Sequence, residues 1–310
     1  MLSELKSVPF VDRTRIASLR TAIEDTINRF AATHDTYETP VPGLSVARIT
    51  SALPPMAYVY EPSLCVCVRG TKCVLLGATA LSYDEKNFFL TAIGLPTIIS
   101  VPDATVENPY TALQISLDLN IARQMIADMD VVGSEVVRIE PGMAIGPLTE
   151  DLLDAVSRLV QLVDNPQDVA ILSSLIHREI LYRVLSGPSG ERLRQIAQIG
   201  SQYHQISLAV SWLRANFAQR LRIEELAEIS GLAVSTLHRH FKKLTTMSPL
   251  QFQKQLCLHE ARRLMLVEGL DAGSAAFRVG YESATQFNRE YSRLFGKPPF
   301  RDVMTLRSNR

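Results

Sequence analysis

Residues 237–244 read LHRHFKKL, and fifty residues later residues 287–294 read FNREYSRL. Each stretch has an apolar residue, an arginine two positions later, an aromatic residue four later and a leucine seven later. The flanks keep the same register, since Ser235 falls on Thr285. A repeat at a fixed period indicates a duplicated supersecondary unit. The pattern predicts helix, short glycine-containing turn, helix, which is the helix-turn-helix of DNA-binding proteins.

The spacing inside each repeat separates a buried face from a free face. Leu237, Phe241 and Leu244 fall at i, i+4 and i+7, so they share the side of a helix that packs on the domain. The side chains predicted to face DNA bases are Ser235, His238 and Arg239 in the first copy and Thr285, Gln286, Asn288 and Arg289 in the second. Arginine can bond two guanine acceptors at once, and asparagine or glutamine does so with adenine.

A second set of basic side chains suits phosphate contacts, which position a protein on DNA without reading sequence. This set is Lys242, Lys243, Lys254, Arg293 and Lys297. For a lone helix, a solvated polar face is the simpler interpretation of such residues. Two copies with matching apolar triads and matching arginines favour the DNA interpretation.

Charge is distributed unevenly along this chain of 310 residues, which is neutral overall with 32 basic and 32 acidic residues. Residues 200–310 hold 16 Lys and Arg against 9 Asp and Glu, a net charge of +7. Residues 1–199 carry the compensating net charge of −7. A basic C-terminal part indicates a polyanionic partner, here double-stranded promoter DNA.

The N-terminal part has a different pattern. After helical spacing over residues 12–32, short runs rich in Val, Ile, Phe and Thr alternate with turn residues. The predicted strands are 44–50, 57–60, 64–68, 72–76, 87–92, 97–101 and 112–119. Seven short strands at this spacing predict an antiparallel sandwich or barrel, whose interior can hold one small ligand.

Helical periodicity returns near Leu148 and runs to a turn-rich stretch at 186–190. The two apolar helices predicted there, 152–163 and 171–185, either form a dimer contact or cap the barrel, and the sequence leaves both open. We therefore predict a multidomain α+β protein. An N-terminal effector-sensing and dimerisation domain spans 1–190, and an all-α domain with two helix-turn-helix motifs spans 205–305.

At these motifs the chain resembles a known family. The residues that carry the resemblance are Leu226-Ala227, Ser230-Gly231-Leu232, Ser235, Leu237, Arg239, Phe241-Lys242, Ser248-Pro249 and Ala261, followed by Ala275, Gly280-Tyr281-Glu282-Ser283, Phe287, Arg289, Tyr291, Gly296 and Pro298-Pro299. They are similar to the paired motifs of AraC/XylS-type transcription regulators. The resemblance covers about residues 205–302 and implies a seven-helix DNA-binding domain. It also implies base contacts by Ser235, His238, Arg239, Thr285, Gln286 and Arg289.

Two positions depart from the family pattern. Thr246 stands where the family usually has glycine after the first recognition helix, and Cys257 stands where it commonly has arginine. A left-handed cap strains a β-branched residue, so we expect this helix to end differently. The N-terminal part, through Pro62-Ser63, Gly70-Thr71-Lys72 and Pro109, resembles the cupin-like sensor domain of one AraC subgroup. That resemblance implies a small effector.

Three cysteines in the predicted strands are candidate sensors: Cys65, Cys67 and Cys73. Cys65 and Cys67 share one face of a strand because side chains alternate, and nearby Arg69 and Lys72 would lower a thiol pKa. Buried cysteine acting as a small hydrophobic side chain is the alternative. The four cysteines show no CxxC spacing, which favours a reduced cytoplasmic protein without a disulfide framework.

Other function classes find little support. Residues 1–150 contain one histidine, His34, so a histidine-rich metal site of the cupin type is not expected. Catalytic and phosphate-binding motifs are missing, and we expect no enzyme, cofactor or bound metal. The sequence has no stretch that approaches 18 consecutive apolar residues, so it predicts no membrane span.

The sequence therefore predicts a cytoplasmic, homodimeric regulator whose N-terminal barrel senses a small-molecule or reactive effector. Activation through RNA polymerase is the favoured mode, as in most of the family. A DNA-binding architectural protein and a barrel enzyme with an accessory DNA domain are the alternatives.

Overall fold

The computed structural model describes residues 13–31, 36–129, 141–198 and 200–308. His34 lies outside these residues. The strands are β1 Thr36–Glu38, β2 Leu44–Ile49, β3 Leu53–Tyr60, β4 Ser63–Arg69, β5 Lys72–Leu76, β6 Thr79–Tyr83, β7 Asn87–Thr91, β8 Leu95–Val101, β9 Tyr110–Ser116 and β10 Met143–Pro147. The helices are α1 Arg13–Phe30, α2 Leu119–Asp128, α3 Glu150–Gln161, α4 Pro166–Ser186, α5 Glu191–Ala197, α6 Gln202–Ala215, α7 Ile223–Ser230, α8 Val234–Thr245, α9 Pro249–Arg263, α10 Ala272–Arg278, α11 Ala284–Phe295 and α12 Pro299–Ser308.

The strands form two antiparallel sheets. One has the order β1-β2-β9-β4-β7-β10 and the other the order β3-β8-β5-β6. Aromatic side chains join their inner faces: the ring centroids of Tyr60 and Phe89 lie 5.3 Å apart, and Tyr83 stacks on Phe89 at 5.1 Å. No ladder between the described strands links the two sheets. The predicted antiparallel, cupin-like domain is confirmed as an open sandwich, and its seven predicted strands all occur.

The burial of each strand explains its pattern of apolar and polar residues. In β5 the side chains alternate: Val74 and Leu76 are buried in the sandwich, whereas Leu75 points outward and is exposed. In β4 all residues from Ser63 to Val68 are buried, because α1 covers the outer face of its sheet. A strand covered on both faces loses the alternating pattern and becomes a continuous apolar run.

The two apolar helices after β10 have different surroundings. The apolar stripe of α3 is buried against α1 and α4, so α3 caps the sandwich within its own chain. Helix α4 buries Ile176, Ile180 and Val184. It also leaves Ile171 and Leu175 exposed, with 68% and 57% of their surface accessible.

The C-terminal part contains the seven predicted helices, α6 to α12. Helices α7 and α8 form the first helix-turn-helix, with Gly231 in the left-handed conformation at the turn. Helices α10 and α11 form the second, and Gly280 at its turn has φ +89°. A Cβ at Gly280 would lie 2.5 Å from the carbonyl oxygen of Ala218, so only glycine fits there. The two predicted units are confirmed.

The two helix-turn-helix units belong to different cores. The first unit shares a continuous apolar core with the sandwich, through residues such as Leu237, Phe241 and Phe252. The second unit has its own core around Phe287 and Tyr291. Helix α9 joins them and ends in one π-helical turn at Leu264–Glu268. The helix that links the two units therefore changes its winding in its last turn.

Candidate nucleic-acid interface and sensor domain

The surface predicted to read bases in the first unit, named the first reading face, lies on α8; its counterpart on α11 is named the second reading face. In α8 the apolar side chains Leu237, Phe241 and Leu244 are fully buried, as the spacing predicts. The side chains that this orientation leaves exposed are Ser235, His238, Arg239, Lys242 and Lys243. Among the described residues none of these five forms an ion pair, so their charges and donors remain available to a ligand. The exposed set begins in the first turn of α8, the end of a recognition helix that contacts bases.

The second reading face is built on α11. Ser283 caps this helix by accepting a hydrogen bond from the backbone N–H of Gln286, at 3.3 Å. Phe287 and Tyr291 are buried, whereas the third predicted apolar residue, Leu294, is only partly buried. The predicted polar side chains on the other side are all exposed: Thr285, Gln286, Asn288, Arg289 and Arg293, with Lys297 just beyond the helix.

Glu290 fixes α11 on the linking helix. Its carboxylate accepts hydrogen bonds from Lys254 at 2.5 Å, the Tyr281 hydroxyl at 2.7 Å and the Gln286 amide at 3.1 Å. Burial opposes ionisation, but the Lys254 contact prevails and holds the pKa of Glu290 below its usual value. Two predicted DNA contacts, Lys254 and Gln286, are thus already engaged within the protein.

A buried ion pair, which the sequence did not indicate, holds α12 against the second unit. The guanidinium of Arg262 donates two hydrogen bonds to Asp302, at 2.8 and 2.9 Å, and both side chains are buried. The Tyr291 hydroxyl donates to the same carboxylate at 2.7 Å. Arg262 also lies 4.5 Å from the centroid of Phe295. This network positions α11, because Tyr291 and Phe295 are two of its residues.

A groove of about 640 Å³ borders the second reading face. It is lined by Ala272, Asn288, Arg289, Ser292, Arg293, Pro298, Pro299 and Phe300. Arg293, a predicted phosphate contact, lines this groove and suits a phosphate backbone that passes along it, next to the predicted base contact Arg289.

The end of α8 docks on the sandwich through Thr246. This residue adopts the left-handed conformation, with φ 62°, so the expectation of a different helix ending is wrong. Its hydroxyl donates a hydrogen bond to the carbonyl of Leu76 at 2.9 Å. A Cβ at Gly77 would lie 2.5 Å from that hydroxyl oxygen, so the close approach requires glycine. The interdomain bond offsets the strain of a β-branched residue at this position.

Two further contacts hold the first unit on the sandwich. The backbone N–H of Gly142 donates to the carbonyl of Leu244 at 2.8 Å. On α6, Arg214 forms an ion pair with Glu61, with one N–O distance of 2.8 Å. The end of α8 that is predicted to read bases is thus free, while its other end is attached to the sandwich.

The three candidate sensor cysteines do not form one cluster. Cys65 and Cys67 are buried in β4, whereas Cys73 follows inward-facing Lys72 and so points to the other side of β5. Burial raises the pKa of Cys65 to about 11, and that of Cys67 further still. The Cys67 thiol donates to the backbone carbonyls of Arg69 and Gly70. Protonated, buried thiols react slowly, which favours the packing role for this pair.

The interior of the sandwich holds polar groups that the sequence analysis passed over. The ammonium of Lys72 lies 5.4 and 5.3 Å from the ring centroids of Tyr58 and Tyr60. The hydroxyls of Tyr60 and Tyr83 are buried, and no described group makes a hydrogen bond of good geometry to either, although they are neighbours of each other and of Tyr110. Alternation would have identified Lys72, because it shares its face with buried Val74.

Two family profiles match this chain. The AraC-type transcriptional regulator N-terminus matches residues 40–192, and a helix-turn-helix domain matches residues 226–301. The chain belongs to the AraC family of transcription regulators. In this AraC-family chain both matched regions coincide with the structures described above. Among the described residues no group of His, Cys, Asp or Glu is arranged to hold a metal ion. Nor is any described helix long and apolar enough to cross a membrane.

Relatives of this AraC-family protein include the HTH-type transcriptional activator RhaS. RhaS of Escherichia coli O1:K1 is 26% identical over 161 residues, which are 50% of this chain and 55% of RhaS. RhaS of E. coli strain SE11 is 27% identical over the same length. The chain thus spans about half the length of the curated relatives it matches.

Solved structures of ToxT from Vibrio cholerae share the fold. ToxT of strain O395 bound to (E)-4-(8-methylnaphthalen-1-yl)but-3-enoic acid has a TM-score of 0.56 at 9% identity, covering 85% of this chain and 98% of ToxT. Wild-type ToxT of strain SCE256 bound to an unsaturated fatty acid has a TM-score of 0.52 at 7% identity, covering 87% and 97%. At these identities the likeness concerns the fold alone.

Proposed function

We propose that this AraC-family protein is an effector-controlled activator of transcription that reads promoter DNA with α8 and α11. The proposal depends on the two exposed helix faces that carry arginine. The opposite face of α8 buries three apolar side chains, and the opposite face of α11 buries two. Two recognition helices can enter successive segments of the major groove, which lie one helical turn, or about 34 Å, apart on the same side of the DNA. Each good bidentate base contact discriminates by about 1–3 kcal/mol.

The direct test is selection of duplexes from a random library by the full-length protein, followed by anisotropy titration at several salt concentrations. The proposal expects an enriched site of about two helical turns and an affinity that falls steeply with salt. A library that yields no enriched sequence, at low salt and with every effector tried, would contradict the proposal.

The contacts between α8 and the sandwich support control by an effector. The first unit shares a core with the sensor domain and is attached through Thr246. A ligand with different affinity for two arrangements of the sandwich would shift the population of a DNA-competent state. ToxT of the same fold has been solved with small ligands, which agrees with a sensing role for the N-terminal domain. Thermal shift with a metabolite panel separates this role from a purely architectural one, since a ligand of the folded state raises Tm.

We further propose a homodimer formed through α4. Its outward apolar side chains Ile171, Leu172, Leu175 and Tyr182 are exposed, whereas the other candidate helix, α3, is buried in its own chain. An exposed apolar face of this kind favours self-association. Sedimentation of Leu175→Lys tests it: the variant should sediment as a monomer while the wild type sediments as a dimer. Equal sedimentation would exclude this face.

The remaining parts of the proposal follow the relatives. RhaS is an activator, and an activator acts through RNA polymerase in the bacterial cytoplasm. The relatives are transcription regulators, and we propose that this chain likewise has no catalytic activity. Transcription reconstituted in vitro with purified polymerase tests the sign of regulation, since an activator raises transcript yield from a promoter carrying the selected site.

A further inference from the structure

Lys72 places a cation between the two sheets of the sensor domain. It lies on the inward face of β5, in register with Tyr83 of β6. Its ammonium is held over the rings of Tyr58 and Tyr60, at 5.4 and 5.3 Å from their centroids. Tyr60 is fully buried and contacts Phe89 of the opposing sheet. The ammonium therefore lies against the aromatic interior of the sandwich, while Lys72 as a whole stays partly exposed, so a ligand can reach it.

This cation lacks a negative partner. None of the ion pairs among the described residues includes Lys72, and burial raises the pKa of the titratable groups around it, the thiols of Cys65 and Cys67 and the hydroxyls of Tyr58 and Tyr60, so all four stay protonated. Burial lowers the pKa of Lys72 itself, which reflects the penalty for an ammonium without a counter-charge. A buried charge normally has a hydrogen-bonded partner of opposite sign, and tyrosine rings supply only part of that compensation.

Hydrogen-bond donors surround the same position. The hydroxyls of Tyr60 and Tyr83 are buried; their polar neighbours are each other and the Tyr110 hydroxyl, and no described group makes a hydrogen bond of good geometry to either. Burial raises the pKa of both tyrosines well above the usual value, so both remain neutral donors. A buried hydroxyl without a well-formed hydrogen bond is unfavourable, so two of them close to an ammonium without a counter-charge describe a site that lacks its acceptor.

We infer that the effector of the sensor domain is a small organic carboxylate, held by Lys72 and the hydroxyls of Tyr60 and Tyr83. A carboxylate accepts several hydrogen bonds and supplies the missing negative charge. The stacked rings of Tyr83 and Phe89, 5.1 Å apart, offer an apolar wall for the rest of the molecule. The inference rests on the proposed sensing function and specifies the ligand class.

The probes are matched pairs that differ in charge: sodium benzoate and benzamide, sodium hexanoate and hexanamide, sodium decanoate and decanamide. Calorimetry and thermal shift on the full-length protein should show binding of at least one carboxylate and weaker binding of its amide. Charge-assisted hydrogen bonds contribute about 1.5–3 kcal/mol, which corresponds to about 10- to 100-fold in Kd.

Three variants assign that binding. Lys72→Met should weaken the carboxylate by about tenfold or more, and Tyr83→Phe should weaken it less. The matched control is Lys86→Met, because Lys86 is exposed and lies outside the sandwich interior. Lys72→Gln also removes the charge but keeps a polar side chain, and it replaces Lys72→Met if that variant does not fold.

Two results would overturn the inference: none of the carboxylates binds the wild type, or Lys72→Met binds them as well as Lys86→Met does. Lys72 would then be a structural cation held by tyrosine rings alone. DNA binding by the same preparations is measured separately. If the protein binds carboxylates but no duplex DNA, the proposed function is contradicted and the ligand site is retained. If it binds duplex DNA but no carboxylate, only the ligand class is contradicted.

Discussion

Thr246 gives the sharpest test of how the DNA-binding helices are attached to the sensor. It is held in the left-handed region, with φ 62°, by a 2.9 Å hydrogen bond to the carbonyl of Leu76. The left-handed conformation costs a residue with a Cβ about 1–2 kcal/mol, and the hydrogen bond returns about 0.5–1.5 kcal/mol. The two terms oppose each other, and substitutions separate them.

Thr246→Ala keeps the strain and loses the bond, so it should lower the free energy of unfolding by about 1 kcal/mol. Thr246→Gly also loses the bond, but it relieves the strain. Glycine gives the unfolded chain more conformational entropy, which lowers the free energy of unfolding by about 0.4–1 kcal/mol. The net effect of glycine is near zero. Glycine should therefore be about 1 kcal/mol more stable than alanine at this position.

Equilibrium unfolding in urea measures both variants, with Thr246→Ser as the control that keeps the hydroxyl. In both Thr246→Ala and Thr246→Gly the amide protons near Leu76 should exchange faster than in the wild type, because the docking bond is gone in each. If alanine proved as stable as glycine, the left-handed strain would only equal the entropy term of about 0.4–1 kcal/mol and the larger strain inferred here would be wrong. Unchanged exchange in both variants would show that the contact does not hold the domains together.

Three further predictions concern the second unit and its DNA contacts. Burial, together with the nearby positive charge of Arg262, lowers the pKa of His259 to about 3. Below pH 6.5 the unfolded chain therefore takes up a proton at His259 that the folded protein does not. The free energy of unfolding should fall by about 2 kcal/mol between pH 6.5 and pH 5. His259→Leu should reduce that loss in urea titrations at the two pH values, and an identical loss in the variant would refute the assignment. Asp302→Ala leaves the buried Arg262 guanidinium unpaired and should lower stability by about 3–5 kcal/mol, whereas a change below 1 kcal/mol would show that the pair is dispensable. In salt titrations of DNA binding, Lys243→Ala should reduce the slope by about one; Lys254→Ala should reduce it less because Lys254 pairs with Glu290, and equal reductions would contradict this.

The fold was largely predictable because its determinants are local. Repeated apolar triads and glycine turns specify the two helix-turn-helix units, and alternating or continuous apolar runs specify most strands. The strands β1, β6 and β10 and the helices α2 and α5 were missed, and β6 is largely exposed, with only Tyr83 buried. The missed helix α5 follows a turn-rich stretch without a side-chain cap.

What the sequence could not supply depends on long-range packing. Asp302 meets Arg262 forty residues away, and neither residue stands out from its neighbours in the chain. The strain at Thr246 was foreseen, but its compensation comes from Leu76 in another domain. Similarly, Cys65 and Cys73 look close in sequence, but they lie on different sheets and face different sides.

Base preference measured for two arginine variants tests the central claim most directly. Duplex selection is repeated with Arg239→Ala and Arg289→Ala, using Lys243→Ala as the control for a phosphate contact. Each arginine variant should lose preference at one base pair, at a cost of about 1–3 kcal/mol. The two affected positions should lie about one helical turn apart. If both arginine variants kept the full preference of the wild type, or lost it at the same position, α8 and α11 would not be the helices that read the DNA.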